Sequence, residues 1–148
     1  MFLSDTVLAT IIATVISSLV SVFIALRLKR DSELRELNLQ LDSILKIAIE
    51  YPYLESYEFT KKWKNNNLNP AEEFRRYEVY ATLVFNYLSC VSAFWGYDIK
   101  KISTFIDIEG WVKLHQEYWY NPSVLGENEQ VYDEKFKEVI HSILGEKY

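Results

Sequence analysis

Two histidines, His115 and His141, and one cysteine, Cys90, are the only imidazole and thiol groups in 148 residues. An imidazole can act as a general base or a metal ligand, and a thiolate as a nucleophile, when a partner group stands within reach. Neither histidine has a second His or a Cys at ligand spacing, so both read as surface or partly buried helix residues. Cys90, between Leu88 and Val91, reads as a core thiol. The acidic pairs Glu72-Glu73 and Asp133-Glu134 fall near expected helix starts, where the helix dipole accounts for them. The four glycines are isolated, which excludes a glycine-rich phosphate loop. Trp111, Tyr118, Trp119 and Tyr120 are dense enough to line a pocket. Pockets also need convergent polar groups, and an aromatic core is the better reading. No catalytic residue, metal or cofactor is expected, and the chain does not read as an enzyme.

The pattern that carries more information has no catalytic groups in it. Ala9, Ala13, Ser17, Ser21 and Ala25 recur at intervals of four, and Thr6, Thr10, Thr14 and Ser18 recur beside them. At about 100° per residue, these positions occupy one half of a helix circumference. Leu8, Ile11, Ile12, Val15, Ile16, Leu19, Val22 and Phe23 fill most of the other half, with Val7, Val20 and Ile24 as exceptions. Small residues let helices approach closely in a bilayer, and hydroxyls can bond across the contact. Ala9, Thr10, Ala13, Thr14, Ser17, Ser18, Ser21 and Ala25 are therefore the candidate oligomer face, or the lining of a narrow pore. Packing is favoured over a pore. The rival reading has each hydroxyl bonding back to a carbonyl of its own helix.

The element that would carry this face is a membrane span. Thr6 to Leu26 contains no charge, Gly or Pro, and such a run spans roughly the 30 Å of a hydrocarbon core. A cleaved signal peptide would carry basic residues before its apolar run. Here Arg27, Lys29 and Arg30 follow it, so a retained anchor is expected. The same cluster predicts an N-terminus outside and a cytoplasmic C-terminal domain, in a bacterium at the inner membrane. A net charge of −5 and the absence of arginine beyond Arg76 argue against a nucleic-acid partner. A single cysteine allows no intrachain disulfide, as suits a reducing compartment.

Glycine and proline punctuate the rest. Neither occurs before Pro52, so one helix is expected from about Leu3 to Glu50, with an apolar seam at Leu34, Leu37, Leu41, Ile44 and Ala48. A short aromatic segment, Tyr53 to Trp63, precedes a loop at Asn65-Asn66-Asn67. Asn69 and Pro70 should cap a helix running to Trp95 and stopping at Gly96. Its apolar face comprises Phe74, Tyr77, Ala81, Val84, Leu88 and Val91. A second span over Val79–Tyr97, also charge-free, is the disfavoured alternative, because its polar residues form a stripe. A further helix with Ile108, Trp111, Val112 and Tyr118 should end near Pro122. A last one, Glu129 to Leu144, should bury Val131, Tyr132, Phe136, Val139, Ile140 and Ile143. No stretch alternates with period two, so the class is all-α. The expected organisation is an anchor with its basic flank over 1–30 and a cytoplasmic helical domain over 31–148. Lys61, Lys62 and Lys64 read as a solvated surface cluster or as contacts to anionic headgroups.

One span, a long helix and a compact helical domain resemble a group of small bacterial membrane proteins of antiviral systems. The group includes the pore-forming accessory proteins of RNA-targeting CRISPR nucleases. In residues the resemblance rests on Glu50-Tyr51-Pro52-Tyr53-Leu54 and on Trp111 through Tyr120. It implies a homo-oligomeric ring that depolarises the membrane when infection is sensed. Those proteins also carry an Arg followed closely by a His, in the manner of a ribonuclease motif. Here Arg76 is the last arginine and His115 the first histidine, so no nuclease role is implied. The expected partners are the lipid bilayer, further copies of the chain and a protein partner. The alternative is a monomeric tether whose helical domain recruits another protein.

Overall fold

The computed structural model describes residues 4–63, 71–122 and 127–145. The described residues are helical with no strand. The chain divides into two compact units, Met1–Glu36 and Leu37–Tyr148.

Helix α1, Asp5–Glu50, supplies the first unit and enters the second. It contains no residue that lacks an amide hydrogen or a side chain, and nothing interrupts its hydrogen-bond ladder. It stops at Tyr51 (φ −128°, ψ 72°), because the residue before a proline avoids the helical region. Pro52 then opens a single 3-10 turn, Pro52–Glu55, followed by the short α2, Tyr57–Thr60.

The second unit is organised around α3, Glu72–Phe94. The face expected from spacing is the one that packs. Tyr77, Ala81, Val84, Leu88 and Val91 are buried, joined by Tyr80, Phe85 and Tyr87. This accounts for the charge-free run within α3. Helix α1 is the one helix among the described residues long and apolar enough to cross a membrane. Asn69, Pro70 and the asparagine loop lie outside the described residues. The helix starts behind Ala71, with Glu72 and Glu73 in its first turn. It ends at Trp95, where Gly96 (φ 65°) and Tyr97 (φ 62°) are both left-handed and turn the chain away.

The C-terminal region is cut more finely than its apolar pattern suggests. Helix α4 spans Ile99–Ser103, α5 Ile108–Leu114, α6 Gln116–Tyr120, α7 Glu127–Val131 and α8 Glu134–Leu144. Aspartates start three of these helices, α4, α5 and α8, because each takes up amide hydrogens that a helix leaves unpaired. Asp98 accepts from the Lys100 and Lys101 amides, Asp107 from Gly110 (2.9 Å), and Asp133 from Phe136 (3.0 Å). The expected last helix is therefore broken at Tyr132-Asp133. Val131, expected inside, is 64% exposed because it belongs to the separate α7. The expected fourth helix breaks at His115 (φ −102°, ψ 15°). Helices α4, α5 and α8 pack on α3, and α8 also packs on α5. An aromatic array fills the core. Trp63, Tyr77, Phe85, Tyr118, Trp119, Tyr132 and Phe136 meet with ring centres 5.0–6.4 Å apart. Of the aromatic residues from Trp111 to Tyr120, Tyr118 and Trp119 are buried in this core, Trp111 packs against it half-buried, and Tyr120 is exposed.

Candidate functional site

Every side chain from Thr6 to Glu33 is exposed, including large apolar groups such as Leu19 (65%) and Leu26 (62%). Soluble monomers rarely leave a continuous apolar surface of this extent uncovered. Ala9, Thr10, Ala13, Thr14, Ser17 and Ser18 line a shallow groove of about 610 Å³ along this helix, and Ser21 and Ala25 follow in the same unit. The hydroxyls turn inward. Thr10 donates to the Thr6 carbonyl (2.8 Å), Thr14 to Thr10 (2.9 Å), Ser18 to Thr14 (2.9 Å) and Ser21 to Ser17 (2.8 Å). Each polar group on the stripe that bonds in this way is satisfied by its own helix, as a lipid environment requires. Beyond the stripe, Arg27 lies over the Phe23 ring (5.3 Å), and Lys29 pairs with Glu33 at 3.8 Å. Arg30 is exposed on the same helix.

The second unit contains a polar cluster that spacing in the sequence did not reveal. His115 is completely buried, contrary to its expected place at or near the surface. Its Nδ1 lies 3.0 Å from the Tyr77 hydroxyl and its Nε2 lies 3.5 Å from Glu55 Oε1. The Tyr80 hydroxyl donates to the same carboxylate oxygen through a short hydrogen bond. Which of the Tyr77 hydroxyl and Nδ1 donates depends on the ring tautomer, and Nε2 lies beside the Glu55 carboxylate. At 3.5 Å that last contact is long, and Nε2 has no closer acceptor.

Burial pushes the Glu55 carboxyl upward, but hydrogen bonding to His115 and Tyr80 outweighs it and leaves the group below the usual carboxylate range. Burial, reinforced by the Glu55 charge, raises the phenols of Tyr77 and Tyr80 far above their ordinary value. Tyr87 is pushed up to about 12 by burial. A carboxylate, an imidazole and a phenol in line resemble a catalytic relay in composition. A relay needs a nucleophile that substrate can reach, and Tyr77, like His115, is wholly buried. The arrangement instead joins three segments: the turn after α1, helix α3 and the α5–α6 break. His141 is partly buried, as expected, whereas Cys90 is exposed on α3 rather than buried in the core.

Beside this cluster runs a groove of about 520 Å³ between the last turn of α1 and α3. Ile47, Tyr51, Val79, Tyr80 and Leu83 form its apolar lining, and Glu72, Arg75 and Arg76 its rim. Arg76 is fully engaged. It donates to Glu72 (2.8 Å) and to the Tyr53 hydroxyl (3.0 Å), and its guanidinium covers the Tyr51 ring at 4.1 Å. Arg75 is exposed and makes no ion pair among the described residues.

No protein-family model, no characterised protein and no solved structure matches this chain.

Proposed function

We propose that this chain is a membrane-anchored, self-associating helical protein that acts as a membrane effector, or a regulator of one, in bacterial antiviral defence. The observation that carries the membrane part is the uncovered apolar surface of α1 from Thr6 to Leu26, with basic residues only at its C-terminal side. That asymmetry supports an N-terminus outside and residues 31–148 in the cytoplasm. The small-residue face supports contact between copies, because Ala and Ser allow backbones to approach where Leu and Ile would hold them apart. The defence role rests on the resemblance in architecture. The pore version adds only that this same face meets water.

One observation favours the second reading, a monomeric tether that recruits a protein partner. The hydroxyls at Thr10, Thr14, Ser18 and Ser21 are already satisfied within their own helix and need no neighbour. Light scattering of the detergent-solubilised chain separates the two readings. Self-association predicts a mass of several chains that Ser17→Leu and Ser21→Leu reduce, while Ile12→Leu and Ile16→Leu leave it unchanged. A single-chain mass for the unmodified protein would overturn self-association and leave the tether.

A further inference from the structure

We infer that the exposed face of α3 is a contact surface for a second copy of this chain, packed antiparallel about a two-fold axis at Asn86. Val79, Leu83, Asn86, Cys90 and Ala93 are all exposed, at successive intervals of four, three, four and three residues. That spacing makes a single seam along the helix, of the kind that packs against another helix. The seam carries no charge over about 21 Å, in a chain whose net charge is −5. Its large side chains stand well out of the core, Val79 at 62% and Leu83 at 40% exposure.

Size, polarity and charge together select a reversed second copy. Large residues occupy one half of the seam and small ones the other. Reversal about Asn86 sets Val79 against the second copy's Ala93 and Leu83 against its Cys90, so each large side chain meets a small one. Parallel copies would set large on large and leave the small half unfilled. Asn86 falls on the axis. Its side-chain oxygen accepts from the Tyr132 hydroxyl (2.9 Å), while its amide nitrogen has no partner among the described residues. That nitrogen can donate to the second copy's Asn86, and a lone asparagine in a helix seam fixes the register. Charge agrees with the reversal. Glu72, Glu73, Arg75, Arg76 and Glu78, with Glu50 beside Tyr51, make the start of α3 net acidic. Asp98, Lys100 and Lys101, with Asp133 and Lys135 around Tyr97, make its far end net basic. Antiparallel packing brings unlike ends together and parallel packing like ends. A single-helix seam is smaller than the roughly 800 Å² per partner of a standard interface. Anchoring both copies in one bilayer raises their effective concentration. The contact therefore rests on the membrane-anchored reading, though not on the small-residue face of α1.

The test is oxidative cross-linking of the full chain in isolated membranes with copper phenanthroline, read on a non-reducing gel. A disulfide needs Cα atoms within about 7 Å. Leu83→Cys with Cys90 retained should give a covalent dimer, because these two positions face each other across the axis. Asn86→Cys in a Cys90→Ser background puts one thiol from each copy on the axis and should give one too. The unmodified chain should not, since its two Cys90 positions lie about eight residues, or about 12 Å, apart along the paired helices. Leu83→Cys combined with Cys90→Ser should also stay monomeric, its two thiols being about 9 Å apart along the axis. Adding Leu83→Glu to the Asn86→Cys, Cys90→Ser variant would bury a charge in the contact and should cut the dimer roughly fivefold or more. Leu83 and Cys90 are exposed, so their replacement leaves the core intact. A dimer of the unmodified chain through Cys90 would mean parallel packing and overturn the proposal. So would a membrane-bound chain in which neither cysteine variant cross-links. Failure of the membrane reading appears separately, as a chain recovered in the soluble fraction.

Discussion

Glu55, His115, Tyr77 and Tyr80 form a chain of polar groups inside an aromatic core, and each depends on its neighbour for a partner. Glu55→Ala leaves the Tyr80 hydroxyl without its acceptor and should cost about 1–3 kcal/mol in a thermal melt. Glu55→Gln keeps an acceptor oxygen and should cost less. His115→Ala removes a wholly buried ring and orphans the Tyr77 hydroxyl, which should cost roughly 2–5 kcal/mol. The acid dependence has a definite sign. Because the folded-state Glu55 carboxyl titrates below its ordinary range, its contribution is complete above that range and is lost as pH falls through the lowered value. Melting temperature should fall on acidification in the unmodified chain and fall less steeply in Glu55→Gln. Parallel profiles would remove Glu55 from the acid response.

At the scale of elements, capping aspartates rather than apolar periodicity start α4, α5 and α8. Asp133, extended at ψ 156°, holds the Phe136 amide and starts α8 afresh. Asp133→Ala should therefore cost about 1 kcal/mol, and Asp133→Asn or Ser clearly less, by chemical denaturation. Gly110 depends on a similar cap. A Cβ there would lie 2.2 Å from the Asp107 carboxylate that accepts from its own amide. Gly110→Ala should force that carboxylate aside and lose most of the cap, again about 1 kcal/mol. If Gly110→Ala in an Asp107→Ala background costs as much as it does alone, the clash is not its cause.

For the whole molecule, the buried hydrophobic residues among those described all lie between Leu37 and Ile140, within the second unit. A fragment of residues 31–148 should therefore fold by itself, giving a strongly helical circular-dichroism spectrum and a single cooperative melt. A spectrum without helix, or a gradual melt, would mean that this core needs the anchor. Orientation is tested with an alkaline phosphatase fusion after Tyr148. The Arg27, Lys29 and Arg30 flank predicts an inactive fusion, and neutralising all three should raise its activity.

Sequence patterns alone determined the features that depend on neighbours a few residues apart. The uninterrupted α1, its stop at Tyr51-Pro52 and the buried face of α3 follow from backbone chemistry and a 3.6-residue period, and all three are present. The small-residue stripe is a pattern of the same local kind. Its hydroxyls turned out to be satisfied within the helix, an outcome that spacing left open. The tertiary structure decided what depends on groups far apart in the chain. Glu55 and His115 are 60 positions apart, and only the packing of the post-α1 turn against the α5–α6 break brings them together. Cys90 shows the same limit in reverse: its apolar neighbours Leu88 and Val91 are buried, yet its own position on α3 faces out. A one-dimensional pattern gives the spacing of a face, but burial depends on which helices come to lie against it.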